Sequence, residues 1–211
     1  MSPPTPKALL FDLGGVLVDI KFSRAIAAWA RYSKLPVDEL QQKFKYDATY
    51  ESHERGEIEA HEYFQHLALT LELDASTEEI ERGWNSIFVG EIEATRRLVE
   101  QARMHVPCFA FTNTNASHMA TWSRLYPGVV GAFDRIFASH QLRLRKPEKE
   151  AFGRICDLIS VAAYDIVFFD DLNENVEAAL DAGLRAVLVR SPEDVSHAIN
   201  GLGLGAVNSG A

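Results

Sequence analysis

Residues 7–19 read KALLFDLGGVLVD, and this stretch limits the folds open to the chain more than any other. Ala8, Leu9, Leu10 and Phe11 run without alternation into Asp12, and Gly14 and Gly15 follow. An unbroken apolar run stopped by a glycine turn is the pattern of a strand buried on both faces of a parallel sheet. Asp12 then falls at the carboxyl end of that strand, where open α/β sheets form their ligand crevice. Glycines at that point let backbone approach a bound group closely. Taken alone, the motif has a second reading as an aspartate that caps a turn. Its weight depends on what the rest of the chain places beside it.

From about residue 19 to 88 the periodicity turns helical. Phe22, Ala25, Ile26, Trp29 and Ala30 recur at helical spacing, and a second helix is expected from 37 to about 44. After Gly56, a longer helix is marked by Ile58, Tyr63, Phe64, Leu67 and Leu71. Ser76 and Glu79 have capping-box spacing ahead of Ile80, Trp84, Ile87 and Phe88. No strand-like run interrupts the region. Residues 19–88 are therefore predicted to form a small all-helical cap inserted after the first strand, with 1–18 and 89–211 forming the core.

Strand runs resume at 106–111, ending in Thr112-Asn113, and at 135–139. Others follow at 166–169, ending in Asp170-Asp171, and at 186–189. Helices are expected between them. Lys146-Pro147 should open one with proline in its first turn, and Ser191-Pro192 another. Gly183 is expected to close a helix as its C′ residue. The tail GLGLGAVNSGA has little to bury and is expected to be loose. Alternation of this kind predicts an α/β fold, a Rossmann-like parallel sheet with helices on both faces. If the strands that end in Asp12, Thr112-Asn113 and Asp170-Asp171 are neighbours, all of these groups meet at one edge.

Composition narrows the partners. Thirty acidic against 21 basic residues give a formal charge of -9 in 211 residues, which disfavours nucleic acid or an anionic membrane. Cys108 and Cys156 lie inside apolar runs with no His or Cys at metal spacing, so their expected role is packing. No stretch reads as a secretion signal or as a span of about 20 apolar residues. The expected setting is the reducing cytoplasm.

Three carboxylates brought to one point repel one another and need a cation. Mg²⁺ fits, because it takes hard oxygen ligands, binds through one or two carboxylates and accepts phosphate oxygens. Lys146 adds a fixed positive charge, and Thr112 and Asn113 add neutral donors. Such a set could stabilise a phosphoryl group while Asp12 attacks phosphorus in line and forms an aspartyl-phosphate. Individually, Lys146 also reads as a solvated helix-start residue and Thr112 as a partner for backbone groups.

In this order, Asp12 with its glycines, Thr112-Asn113, Lys146-Pro147 and Asp170-Asp171 resemble the four motifs of the haloacid-dehalogenase (HAD) superfamily. The helical insertion stands in the place of that family's cap. Within the superfamily, FDLGGVLVDI, HERGEI, TNTNASHMATW, RKPE and FFDD are most similar to the alpha-D-glucose-1-phosphate phosphatase group. The resemblance implies that Asp12 is nucleophile and metal ligand, that Gly14 lends its carbonyl to the metal and that Asp171 coordinates it. It implies that Asp170 binds the metal or its waters, and that Thr112, Asn113 and Lys146 hold phosphate. The implied activity is Mg²⁺-dependent hydrolysis of a small phosphorylated metabolite, in particular a sugar phosphate.

One departure stands out. Most phosphatases of that superfamily have a second aspartate two residues after the nucleophile, which protonates the leaving oxygen and later activates water. Here that position is Gly14, and general acid-base help is worth about 10² to 10⁴ in rate. Either the leaving group is a comparatively acidic hydroxyl, or a histidine such as His118 or His53 substitutes. Substrate contacts are expected from His53, Glu54, Arg55 and Trp84 of the insertion and from Asn115, His118 and Trp122 of the core, with cap hinges near Asp19 and Gly90. Two other readings compete: a metal-independent 2-haloacid dehalogenase, which also lacks the second aspartate, and a non-catalytic phospholigand-binding protein. Paired acids at Asp170-Asp171 weigh against the dehalogenase, whose substrate is an anion.

Overall fold

The computed structural model describes residues 5–205. The chain begins with β1 (Ala8–Phe11) and β2 (Val18–Ile20), then five helices: α1 (Phe22–Trp29), α2 (Val37–Lys43), α3 (Ala48–Glu54), α4 (Ala60–Thr70) and α5 (Thr77–Trp84). Next come β3 (Phe88–Glu91), α6 (Glu93–Arg103), β4 (Cys108–Thr112), α7 (Ala116–Leu125), α8 (Pro127–Gly131) and β5 (Arg135–Ala138). The remainder is α9 (Ser139–Leu142), α10 (Lys149–Ile159), β6 (Ile166–Asp170), α11 (Asn173–Asp181), β7 (Arg185–Leu188) and α12 (Pro192–Gly201).

Five strands form one parallel sheet in the order β5-β4-β1-β6-β7, with β1 at its centre. Side chains alternate across a strand, and both faces of β1 are covered. Leu9 and Phe11 pack with Val99 and Ala102 of α6 and with Val195 and Ile199 of α12. Ala8 and Leu10 pack with Phe152 and Ile155 of α10 and with Ala179 of α11. This explains why β1 shows no polar alternation, and it confirms the expected parallel sheet between two helical layers.

The five helices α1–α5 bury a core of their own around Trp29, Trp84, Tyr63 and Phe64. The Trp29 indole N–H donates to the Ile80 carbonyl at 3.0 Å, and the Trp29 and Trp84 rings stack with centroids 6.5 Å apart. This helical unit joins the rest of the chain through an antiparallel ribbon of β2 with β3. The ribbon departs from the expectation of a strand-free region. Its strands are only three and four residues long, too short to show a period of two, and Phe88 mimics the end of the α5 apolar face. Asp19 and Gly90, the expected hinges, lie opposite each other in the ribbon, where the register shifts between Asp19 and Ile20.

Two further expectations are corrected. Pro147 does not start a helix, because α10 begins at Lys149. The Lys146 N–H donates to Asn113 Oδ1 and its carbonyl accepts from Asn113 Nδ2, both at 2.8 Å, which commits that backbone to a turn. The tail is not wholly loose, since Leu204 is buried in the same cluster as Val195 and Ile199; residues 206–211 of that stretch lie outside the described residues. Pro192 does open α12, and Gly183 takes a positive φ of 90° after α11. No helix among the described residues is long and apolar enough to cross a membrane.

Phe152 fixes α10 to the sheet, with ring centroids 6.0 Å from Phe111 and 5.3 Å from Phe168. Phe152→Ala leaves a cavity in this layer and is expected to cost about 3–5 kcal/mol in urea unfolding. A loss below about 1 kcal/mol would show that this layer does not hold the sheet.

Candidate active site

Strands β4, β1 and β6 are neighbours, so their carboxyl ends bring Thr112, Asp12 and Asp170 to one edge. Asp171 follows at once. One carboxylate oxygen from each of Asp12, Asp170 and Asp171 lies within 4.8 Å of the others. Lys146 reaches this cluster from the turn after α9, and its Nζ lies 2.8 Å from Asp12 Oδ1 and 2.6 Å from Asp170 Oδ2. The ammonium is buried and sits 5.5 and 5.3 Å from the ring centres of Phe111 and Phe168.

The members of the cluster are not equivalent. Asp170 is the most heavily engaged, because Oδ1 accepts from the Leu172 N–H and from Asn175 Nδ2, each at 2.9 Å, while Oδ2 takes Lys146. It holds Lys146 and keeps a carboxylate oxygen within the three-acid cluster. Asn175 escapes the sequence reading because an asparagine in the first turn of a helix is ordinary; the available signal was its closeness in sequence to the paired acids. Asp171 lies against backbone. A Cβ built on Gly15, whose φ is 74°, would fall 2.2 Å from Asp171 Oδ2, so a side chain at Gly15 would displace that carboxylate.

Electrostatics show what the cluster lacks. Desolvation pushes the Asp12 carboxyl up to about 7, Lys146 pulls it down, and Asp170 and Asp171 push it up again. Burial also raises Asp171. Burial works against charge on Lys146, but its two acidic neighbours outweigh this and raise it. Three carboxylates against one ammonium leave an excess of negative charge, and a divalent cation among these oxygens would offset it. The donors are all oxygens, with no Cys or His in the cluster, which suits a hard ion such as Mg²⁺ and not zinc.

A cleft of about 660 Å³ opens above the cluster. Its floor includes Asp12, Gly14, Thr112, Asn113, Lys146 and Asp171, and its walls include Phe22, Tyr46, Tyr50 and Glu54 from the helical unit and Arg145 from the core. The Asn113 side chain is spent on the Lys146 backbone, so it acts by positioning. Thr114 was not singled out by sequence; its N–H and carbonyl are both bonded by the Ser139 hydroxyl, at 2.8 and 2.9 Å, which braces the loop after β4.

The expected substrate contacts fare differently. Trp84 is fully buried in the helical unit and lies away from the cleft wall. Arg55 is taken up by Glu148 at 2.6 Å and Glu51 at 3.1 Å. Asn115 caps α7 by accepting from the His118 N–H at 3.0 Å, and Trp122 donates to Thr114 Oγ1 at 3.4 Å. Glu54 alone among the expected contacts lines the cleft.

His118 stacks on Trp84 with ring centroids 4.4 Å apart. Asn115 Nδ2 donates to its Nδ1 at 3.2 Å, so Nε2 carries the proton and donates to the Trp84 carbonyl at 3.1 Å. Burial lowers its pKa to about 3, and that of His53 to about 4. Both rings are held neutral at physiological pH, which weighs against either as the replacement for the acid missing at Gly14.

Two expectations follow. Gly15→Ala should weaken Mg²⁺ binding in calorimetry at least about tenfold, since second contacts to a bound ion are worth that much; unchanged affinity would mean Asp171 does not face the ion. The ring resonances of His53 and His118 should show no titration from about pH 8 to 5.5. Their folded pKa values lie below the ordinary 6.5, so their contribution to stability is complete above that value. It is lost as pH falls through it toward 4 and 3.

Comparison with known proteins agrees with this geometry. Residues 6–183 match the family model for haloacid dehalogenase-like hydrolases. Phosphatase MT3486 of Mycobacterium tuberculosis is 27% identical over 211 residues, covering 97% of each chain. D-ribitol-5-phosphate phosphatase of Bacteroides thetaiotaomicron is 24% identical over 184 residues, covering 84% of this chain and 88% of that protein. A HAD family enzyme of Bacteroides thetaiotaomicron, solved with magnesium and inorganic phosphate, superposes with a TM-score of 0.79 at 25% identity, covering 92% of this chain and 98% of that one. The family match runs from before β1 to the end of α11 and takes in the converging acids, and this chain belongs to the haloacid dehalogenase-like hydrolase family.

Proposed function

We propose that the chain is a Mg²⁺-dependent phosphomonoester hydrolase that cleaves a small phosphorylated metabolite, a sugar or polyol phosphate, through an aspartyl-phosphate on Asp12. The observation behind this reading is the convergence of Asp12, Asp170 and Asp171 within 4.8 Å around a single buried lysine. The magnesium-bound and phosphate-bound relative, and the two relatives that are phosphatases by name, support it. The ribitol phosphate relative favours a polyhydroxy leaving group, as does the resemblance to the glucose-1-phosphate phosphatase group.

Asp12, Asp171 and the Gly14 carbonyl would hold the ion, which supplies charge neutralisation and alignment of the phosphoryl group. Lys146, fixed by Asp170 and Asn113, donates from Nζ to a phosphoryl oxygen. Thr112 offers a hydroxyl at the end of β4. One Asp12 oxygen attacks phosphorus, the bond from phosphorus to the ester oxygen breaks, and the alcohol leaves. Water then attacks the same phosphorus, which frees the Asp12 carboxylate and orthophosphate. The helical unit acts as a cap that closes the cleft and excludes water. A cytoplasmic setting would keep Cys108 and Cys156, both free, reduced.

A dehalogenase would have to bring an anion and no cation to three acids, which the charge balance opposes. Two treatments test the proposal on a panel of hexose and polyol phosphates. Asp12→Asn should lower phosphate release by about 10³ or more, because the nucleophile is lost. EDTA should abolish release, and added Mg²⁺ should restore it. Release that survives EDTA, or an Asp12→Asn variant as fast as the parent, would refute the reading.

A further inference from the structure

Gly14 leaves the reaction without its usual proton donor, and the two candidate histidines are locked neutral. We propose that Glu54, on α3 of the cap, is the general acid-base that stands in for the side chain Gly14 lacks. The inference rests on the phosphatase reading above and extends it.

Three observations place Glu54 in this role. Glu54 and Gly14 line the same two cavities, the 660 Å³ cleft and a smaller one of about 70 Å³. Ile20 occupies the space that a side chain at position 14 would enter, its Cδ1 lying 3.0 Å from a Cβ built there. Any acid serving the leaving oxygen must therefore come from another wall. Across the cleft, the cap presents two carboxyls, Glu51 and Glu54; Glu51 is half exposed, and two arginines, Arg55 and Arg145, pair with it. Glu54 is buried, and its side chain is 6% exposed.

The surroundings of Glu54 suit a group that must both give and take a proton. Burial raises its pKa, while Arg145, the Tyr50 hydroxyl and Lys146 favour its charged form. Arg145 Nε holds Oε2 at 2.9 Å. Burial prevails over these partners, so Glu54 holds its proton more tightly than an exposed glutamate does. In the first step Glu54 gives its proton to the ester oxygen as that oxygen parts from phosphorus, so the leaving group departs as an alcohol. In the second, the Glu54 carboxylate takes a proton from the water attacking the aspartyl-phosphate, which restores the acid and releases orthophosphate. A cap that contributes the acid also makes turnover depend on closure.

Leaving-group chemistry distinguishes this from a purely structural role. A 4-nitrophenolate departs without protonation, whereas a polyol alkoxide needs a proton. Glu54→Gln should lower kcat on the best polyol or hexose phosphate by about 10² to 10⁴ and on 4-nitrophenyl phosphate by less than about tenfold. Glu54→Asp should recover part of the alkyl activity. Arg145→Met, which breaks the contact but leaves the carboxyl, should keep the parent ratio of alkyl to aryl turnover. Equal losses on both substrates, or an Arg145→Met variant whose ratio matches that of Glu54→Gln, would show that Glu54 only holds the cap to the core and would overturn the proposal. A parent protein that hydrolyses neither ester would instead defeat the phosphatase reading, and this inference with it.

Discussion

The buried ammonium of Lys146 holds the active edge together. It is the only cation in contact with Asp12 and Asp170 among the described residues, and without it two largely buried carboxylates would face each other uncompensated. Removing one partner of such a buried pair costs about 3–5 kcal/mol, because the remaining charge is left uncompensated. The fold accordingly spends several groups on placing Lys146. Asn113 clasps its backbone on both sides, Asn175 and the Leu172 N–H fix Asp170, and two phenylalanine rings flank the ammonium. Apart from Phe168, in the middle of β6, these groups lie at or just beyond the carboxyl end of a sheet strand, in the helix that follows one, or in the Lys146 turn, so the parallel sheet itself sets the register of the site.

The same turn ties the cap to the core. Arg145, next to Lys146, bonds Glu54 and Glu51 of α3, while Arg55 of α3 bonds Glu148. Arg143 also donates to the Gly56 carbonyl. These contacts cross from the helical unit to the residues flanking Lys146, so the position of the helical unit and that of the lysine turn are linked by shared charged partners. Partly exposed pairs such as Arg55–Glu148 contribute little individually, whereas the Glu54–Arg145 contact is the more buried of these links. The cleft walls above the cluster are aromatic at Phe22, Tyr46 and Tyr50, acidic at Glu51 and Glu54 and basic at Arg145.

Much of this was legible in the sequence, for definite reasons. The apolar runs that end in Asp12, Thr112 and Asp170 had to be strands buried on both faces, and a parallel sheet then forces their ends together. The periodicity of Phe22, Trp29, Tyr63 and Trp84 marked a separate helical core. What stayed hidden depends on contacts between segments distant in the chain. No local pattern distinguishes Trp84 as a core residue from Trp84 as a ligand contact, or His118 as a locked ring from His118 as an acid; the stacking between them decides both. The β2/β3 ribbon was too short to read, and the start of α10 moved because Asn113 captured the Lys146 backbone. Asn175 and Arg145 gained their importance only from what the fold placed beside them.

The central claim is that Asp12 is the nucleophile of a cluster neutralised by Lys146 and a divalent ion. Rapid acid quench during Mg²⁺-dependent turnover of a radiolabelled phosphate ester, followed by peptide mapping, tests it most directly. The account predicts label on the peptide that contains Asp12, discharged on a chase with unlabelled substrate. Turnover with no labelled peptide, or with the label on another residue, would contradict it.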